Sequence, residues 1–259
     1  MSTYGLYTSG LGAIGQSMKI DQIANNIANA NTPAFRRDTM AFGERLVEAL
    51  EDNQDLAYYN ALVHRNGGAP VVQDVRAEKS TAGFEVTRRP LDFAIVGEGW
   101  FSVQDLETNE TFLTRAGNFT VTGAGRLTTA DGRCQVLSAD GRGLAVDPTG
   151  AGELRVREDG LLTQGAEEIG RLGITGVEDE SRLRKHGDNL FRNLGTGTVA
   201  PAAGTRVEQG ALEKSGVNPV LEMVEMIKSF RVLETNLEMV RLQDAVLDRS
   251  VNDFGRPQR

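Results

Sequence analysis

From residue 223 to residue 254, one row of side chains recurs at alternating steps of three and four. It runs Met223, Met226, Phe230, Leu233, Leu237, Val240, Asp244, Leu247, Val251 and Phe254, and only Asp244 is polar. A heptad pattern sustained over this length predicts a long helix whose apolar seam must be covered. Asn218 can cap that helix, and Pro219 suits its first turn. At about 1.5 Å per residue the helix spans roughly 50 Å. Two readings are open: a long core helix in an ordinary domain, or a coiled coil with a second helix.

The other long helical candidate is the N-terminal segment, residues 1–35. It carries two charges, Lys19 and Asp21, so it lacks the charged face of a solvated helix. Apolar residues still recur helically, with Leu11, Ile14 and Met18 on one row and Ile20, Ile23 and Ile27 on another. Gly5, Gly10, Gly12 and Gly15 each disfavour helix by about 1 kcal/mol relative to alanine. The segment is therefore expected to be helical where something packs around it. Asn31-Thr32-Pro33 ends it, because the residue before proline is pushed out of the α region.

Between these ends, a short helix is expected over 41–50, and the stretch through Gly67-Gly68-Ala69-Pro70 reads as loop. Residues 84–206 read as β. Phe93-Ala94-Ile95-Val96 and Trp100-Phe101-Ser102-Val103 flank Gly97-Glu98-Gly99, a hairpin signal. Asp131-Gly132, Asp140-Gly141 and Asp159-Gly160 mark tight turns between short apolar stretches. This spacing predicts a compact, mostly antiparallel domain, with Trp100 and Phe101 as core residues of a strand.

The residues offer little for catalysis or cofactor binding. His64 and His186 lie in no metal spacing, and Cys134 is the single cysteine, so a zinc site and an intrachain disulfide are not expected. Cys134 reads as a small buried apolar residue. The Asp-Gly pairs lack the calcium-loop pattern, and no Walker loop or G-x-S-x-G elbow occurs. Acidic pairs alone give a glycosidase reading little support. A net charge of −8 argues against a nucleic-acid binder. No apolar run approaches the roughly 18 residues of a membrane span, and no basic n-region or apolar h-region marks a secretory signal.

One motif is more specific. Ile23-Ala24-Asn25-Asn26-Ile27-Ala28-Asn29-Ala30-Asn31-Thr32-Pro33-Ala34-Phe35-Arg36 resembles the N-terminal signature of the flagellar rod and hook protein family. Ala34 stands where the family usually has glycine. Arg89-Pro90-Leu91-Asp92-Phe93-Ala94-Ile95, followed by Gly97-Glu98-Gly99-Trp100-Phe101, is similar to its LDxAI…GxGFF block. Thr114-Arg115-Ala116-Gly117-Asn118-Phe119 is similar to its TRxGxF block. Gln209-Gly210-Ala211-Leu212-Glu213-Lys214-Ser215-Gly216-Val217-Asn218 is similar to its QGxLExSNVN block, with Gly216 in place of the usual asparagine. Residues 45–80 match least.

The resemblance implies an α+β fold. Paired N- and C-terminal helices, 1–35 with 217–259, form a coiled-coil-like shaft. A connecting region, 36–83 with 207–216, leads to a mostly antiparallel β-rich outer domain, 84–206. It implies a structural subunit, not an enzyme, with no cofactor, that stacks helically into the basal-body rod and transmits torque from motor to hook. The implied partners are other copies of the chain, neighbouring rod and hook-side axial proteins, and the flagellar export apparatus. Export would use the flagellum's own channel without a cleaved signal, and neither nucleic acid nor membrane insertion is implied. The versions of the central block lean towards a proximal rod member, with a distal rod or hook-type protein as the alternative. A reading of a different class, a cell-wall hydrolase accessory to the rod, has no residue pattern behind it.

The expected assembly interface combines Ile23, Asn25, Asn26, Ile27 and Asn29 with Met226, Phe230, Leu233, Leu237, Val240 and Leu247. Uncharged amides can bond across a packed interface without the desolvation cost of charges, so Asn25, Asn26 and Asn29 are expected to reach neighbouring subunits. The alternative is that they cap the helix end.

Overall fold

A computed structural model describes residues 3–44, 70–78, 82–147, 152–195, 199–202 and 204–254. The fold is α+β, with two long helices and mostly antiparallel sheets. The chain divides into two compact units. A helical unit takes in Met1–Ala28, Asp38–Glu78 and Val217–Arg259, and a β-rich unit takes in Asn29–Arg37 and Lys79–Gly216. The expected connecting region is shared between them.

In the helical unit, α1 is Thr3–Ala28 and α2 is Pro219–Phe254, 36 residues long. Asn218 caps α2: its Oδ1 accepts the backbone N–H of Val220 at 3.1 Å. Among the described residues this unit also holds two strands, β1 (Asp38–Glu44) and β2 (Pro70–Ala77). They form an antiparallel ribbon with Asp38 opposite Ala77 and Glu44 opposite Pro70, and a register shift between Ala41 and Phe42. The helix expected over 41–50 is thus corrected: 41–44 is strand, and 45–50 lies outside the described residues. Local spacing carried no trace of β2, which supplies the ladder partners from about 30 residues downstream.

Among the described residues the β-rich unit holds fifteen strands. They are β3 (Phe84–Val86), β4 (Phe93–Val96), β5 (Trp100–Asp105), β6 (Thr111–Thr114), β7 (Thr120–Val121), β8 (Leu127–Thr128), β9 (Cys134–Val136) and β10 (Leu154–Val156), then β11 (Leu161–Gln164), β12 (Glu167–Arg171), β13 (Ile174–Thr175), β14 (Leu183–Gly187), β15 (Leu190–Asn193), β16 (Arg206–Gln209) and β17 (Ala211–Glu213). The main sheet runs β14-β15-β6-β5-β9-β8-β7, with β13 also on β5. A second sheet runs β10-β11-β12, and β4 and β3 pair with β16 and β17.

The hairpin expected across Gly97-Glu98-Gly99 does not form. β4 pairs with β16, while β5 pairs with β6, β9 and β13. The glycines serve a change of sheet. A Cβ on Gly99 would lie 2.9 Å from Ile174 Cγ2, and both Gly97 and Gly99 have positive φ. The three Asp-Gly turns do form, with Gly132, Gly141 and Gly160 at φ of 74°, 76° and 80°.

One dry cluster fills the unit: Phe93, Ile95, Phe101, Val103, Phe112, Phe119, Leu127, Cys134, Val136, Leu162 and Leu172 are all buried. Phe101 and Phe119 meet edge to face at 5.3 Å. Gly117 is the closest point of this packing. Phe93 N donates to Gly117 O at 3.0 Å, and a Cβ on Gly117 would lie 1.8 Å from Phe93 O. No side chain fits there, which gives the glycine of the Thr114–Phe119 block a physical reason.

Candidate assembly surface

Within the helical unit, α1 and α2 touch in antiparallel sense. A Cβ on Gly5 would lie 3.1 Å from Gln243 Nε2, and one on Gly12 would lie 3.3 Å from Asn236 Nδ2. Further along, Lys19 Nζ is 4.0 Å from Glu225 Oε2, and Asn26 Nδ2 donates to Glu222 Oε2 at 3.3 Å. The line facing α1 is therefore Glu222, Ser229, Asn236 and Gln243, a polar column at heptad spacing. Beside it run Met226, Leu233, Val240 and Leu247, all half-buried.

The sequence-derived seam divides into two columns. Half of it, the Met226 column, lies along the α1 contact. The other half does not: Met223, Phe230 and Leu237 are 51%, 50% and 44% exposed, and Asp244 is exposed with them. Ile227 is exposed on the same side, and the side chains of Val251 and Phe254 lie outside the described residues. On α1 the two expected rows part company. Ile23 is buried, and Ile20 and Ile27 are half-buried, whereas Ile14 and Met18 are exposed.

The asparagines have three different environments. Asn26 is fully buried inside the subunit. Its Nδ2 donates to Asp38 O at 3.0 Å and to Glu222, and its Oδ1 accepts Asp38 N–H at 3.0 Å. Gln22 also donates to Asp38 O. Asn26 is thus engaged with its own chain, at the start of β1 and of α2. Asn25 is exposed. Asn29 belongs to the turn after α1: its backbone O accepts from Thr32 N–H and Ser215 Oγ, and its Oδ1 accepts from Thr32 Oγ1.

In the β-rich unit, several motif residues converge on one buried ionic cluster. Glu213 lies 3.5 Å from Arg115 and 3.8 Å from Arg36, all three buried. Arg115 also donates to Ile95 O at 3.3 Å and Gly97 O at 2.9 Å. Both guanidinium groups lie over the Trp100 ring, at 5.2 and 5.5 Å, and Trp100 packs on Phe191 at 4.9 Å. Burial pushes the Glu213 carboxyl above its ordinary range, against the pull of Arg115 and Arg36. The turn itself is held there: Ala34 N donates to Glu213 O, Gly216 N to Phe35 O, Asn189 to Pro33 O, and Lys185 to Arg36 O. Ala34 keeps a left-handed φ of 54°, so alanine adopts the conformation that glycine would favour. These residues belong to separate motifs, and nothing in their spacing brings them together. Two arginines and a glutamate in separate blocks were the available signal.

Among the described residues no group of three or more His, Cys, Asp or Glu could hold a metal ion. Among the described residues no helix is long and apolar enough to cross a membrane.

Comparison with known proteins follows the same architecture. Residues 6–36, which hold α1 and its turn, match the flagella basal body rod protein family. Residues 94–164 match the flagellar hook protein FlgE/F/G D1 domain, and residues 208–253 match the flagellar basal body rod FlgEFG protein C-terminal family. The flagellar basal-body rod protein FlgF of Caulobacter vibrioides is 34% identical, over 86% of this chain and 86% of that relative. The flagellar basal-body rod protein FlgG of Bacillus subtilis is 31% identical, over 95% of this chain and 97% of the relative. The flagellar hook-basal body complex protein FlhO of Bacillus subtilis is 24% identical, over 97% and 98%.

Proposed function

The chain belongs to the family of flagellar basal-body rod proteins, and from that premise we propose that it is a rod subunit that polymerises helically through α1 and α2, paired as a coiled-coil-like shaft. The observation that carries this reading is the outer column of α2. Met223, Ile227, Phe230 and Leu237 repeat at helical spacing and stay exposed after α1 has packed. Covering such side chains contributes about 1.5–3 kcal/mol each when burial is complete. Repetition in every subunit multiplies that gain along a filament. Ile14 and Met18 give α1 a matching exposed row. The partners are then other copies and adjoining axial proteins, and the route out of the cell is the flagellar channel.

The finer position is the proximal rod. It rests on the Arg89-Pro90-Leu91-Asp92 and Gly99-Trp100-Phe101 versions of the central block and on the identity to a FlgF protein.

Phe230→Asp combined with Leu237→Asp tests the surface. Each places a charge where the proposal requires a dry contact, and neither disturbs the core of the β-rich unit. The expected result is an exported, folded protein that is missing from purified basal bodies, in cells without hooks. Normal rods from this variant would remove α2 from the assembly surface. Immunogold labelling of wild-type basal bodies tests the position: label at the hook-side end of the rod would exclude the proximal assignment.

A further inference from the structure

The contact line between α1 and α2 is more specific than its apolar residues require. Asn26 meets Glu222, Gly12 meets Asn236, and Gly5 meets Gln243. These contacts share one antiparallel register, and their positions are separated by whole heptads on both helices. The same register sets Lys19 at the level of Ser229. Ser229 is 2% exposed, and its Oγ has no hydrogen-bond partner among the described residues.

The apolar column cannot choose this register. Met226, Leu233, Val240 and Leu247 repeat every seven residues, so one helix can slide by a heptad and still pack apolar against apolar. One such slide has an electrostatic advantage, because it brings Lys19 opposite Glu222. In the observed register Lys19 reaches Glu225 at 4.0 Å, between partly exposed groups.

We propose that Asn26 is a register-setting residue of the α1–α2 pair: with the bonds that join Asn29 to Ser215 and Phe35 to Gly216 just beyond the helix ends, it holds Glu222 opposite itself and excludes the slide that would give Glu222 to Lys19. Its geometry suits this role. One amide binds both the N–H and the C=O of Asp38 and still reaches the Glu222 carboxylate. Asp38 begins β1, so α1 is tied to the ribbon as well as to α2. Glu222 lies in the first turn of α2, where the helix dipole favours its charge. In the slid register the Asn26 amide would lie beyond the start of α2 and lose Glu222. Gly12 would then face Ser229 and leave the gap that the Asn236 amide now fills. A polar residue buried in a helix seam fixes register because only one alignment satisfies it. The inference concerns the isolated subunit and does not depend on the rod reading.

Disulfide trapping in the full chain tests it, in a Cys134→Ala background so that only introduced thiols react. Gly12→Cys with Asn236→Cys reports the observed register, and Gly12→Cys with Ser229→Cys reports the slide. With Asn26 intact, the first pair should close on mild oxidation and the second should not. Adding Asn26→Leu should raise closure of the second pair by about tenfold, the scale set by losing one or two buried hydrogen bonds. Adding Lys19→Met to that variant should reverse the rise, which a general loosening of the helices would not do. Two results would overturn the proposal. In one, the Asn26→Leu chain closes only the Asn236 pair. In the other, neither pair closes while circular dichroism shows the β-rich unit intact, which would make Asn26 a residue that holds the pair together and not one that aligns it.

Discussion

The two units bury their side chains by opposite rules. The β-rich unit encloses phenylalanines on all sides, and even its charged cluster is turned inward on Trp100. The helical unit does the reverse: amides, a serine and glycines lie along its internal contact, and Phe230 and Leu237 face outward. The first arrangement is complete in one chain. The second leaves apolar surface that a single chain does not cover, and weakens its own internal contact with polar groups. A unit built that way is suited to finishing its packing in company.

The largest expected effect is at the tightest point of the complete unit. Gly117→Ala forces a Cβ into Phe93 O and should cost more than about 4 kcal/mol, in the range reserved for severe core disruption. Urea unfolding followed by the β signal in circular dichroism measures it. A loss below about 1 kcal/mol would mean that β4 is not clamped there.

A smaller effect concerns pH. Burial pushes the Cys134 thiol up to about 11. A raised value in the folded state means stability that is fully present below the unfolded thiol's pKa and lost as pH rises through about 11. On going from pH 8 to pH 11 the wild type should lose on the order of 1–2 kcal/mol more than Cys134→Ala. Equal losses in the two proteins would place the thiol in contact with water.

The smallest effect sharpens the contrast most. Phe230→Ala should change the stability of the isolated subunit by less than about 0.5 kcal/mol, as at an exposed position. The same truncation at the buried Phe101 should cost about 3–5 kcal/mol. If both cost the same in isolated subunits, the outer column of α2 is already covered and the contrast between the units fails.

The sequence was most legible where structure is local. The cap at Asn218, the helix through Phe254, the end of α1 before Pro33 and the Asp-Gly turns all follow from neighbouring residues. It was least legible where distant segments meet. β4 and β5 looked like a hairpin because they are adjacent, yet the partner of β4 comes from Arg206–Gln209. The apolar seam of α2 was legible, but the polar column beside it was not. Here the contact uses Glu222, Ser229, Asn236 and Gln243, which no hydropathy pattern singles out. Of the expected interface residues, Phe230 and Leu237 are exposed on α2, whereas the Asn26 amide is bonded within its own chain, a partnership that the spacing of the motif did not reveal. The cluster of Arg36, Trp100, Arg115 and Glu213 draws on four separate sequence blocks and was not visible as a unit.

The turn after α1 and the segment before α2 are stitched to each other: Ala34 to Glu213, Phe35 to Gly216, and Asn29 to Ser215. These two segments, far apart along the chain, are therefore one piece of the β-rich unit, and the loop between them is already closed. Lengthening an already closed loop costs little entropy. Extra residues inserted within it are expected to be tolerated where they leave Arg36, Arg115 and Glu213 in contact.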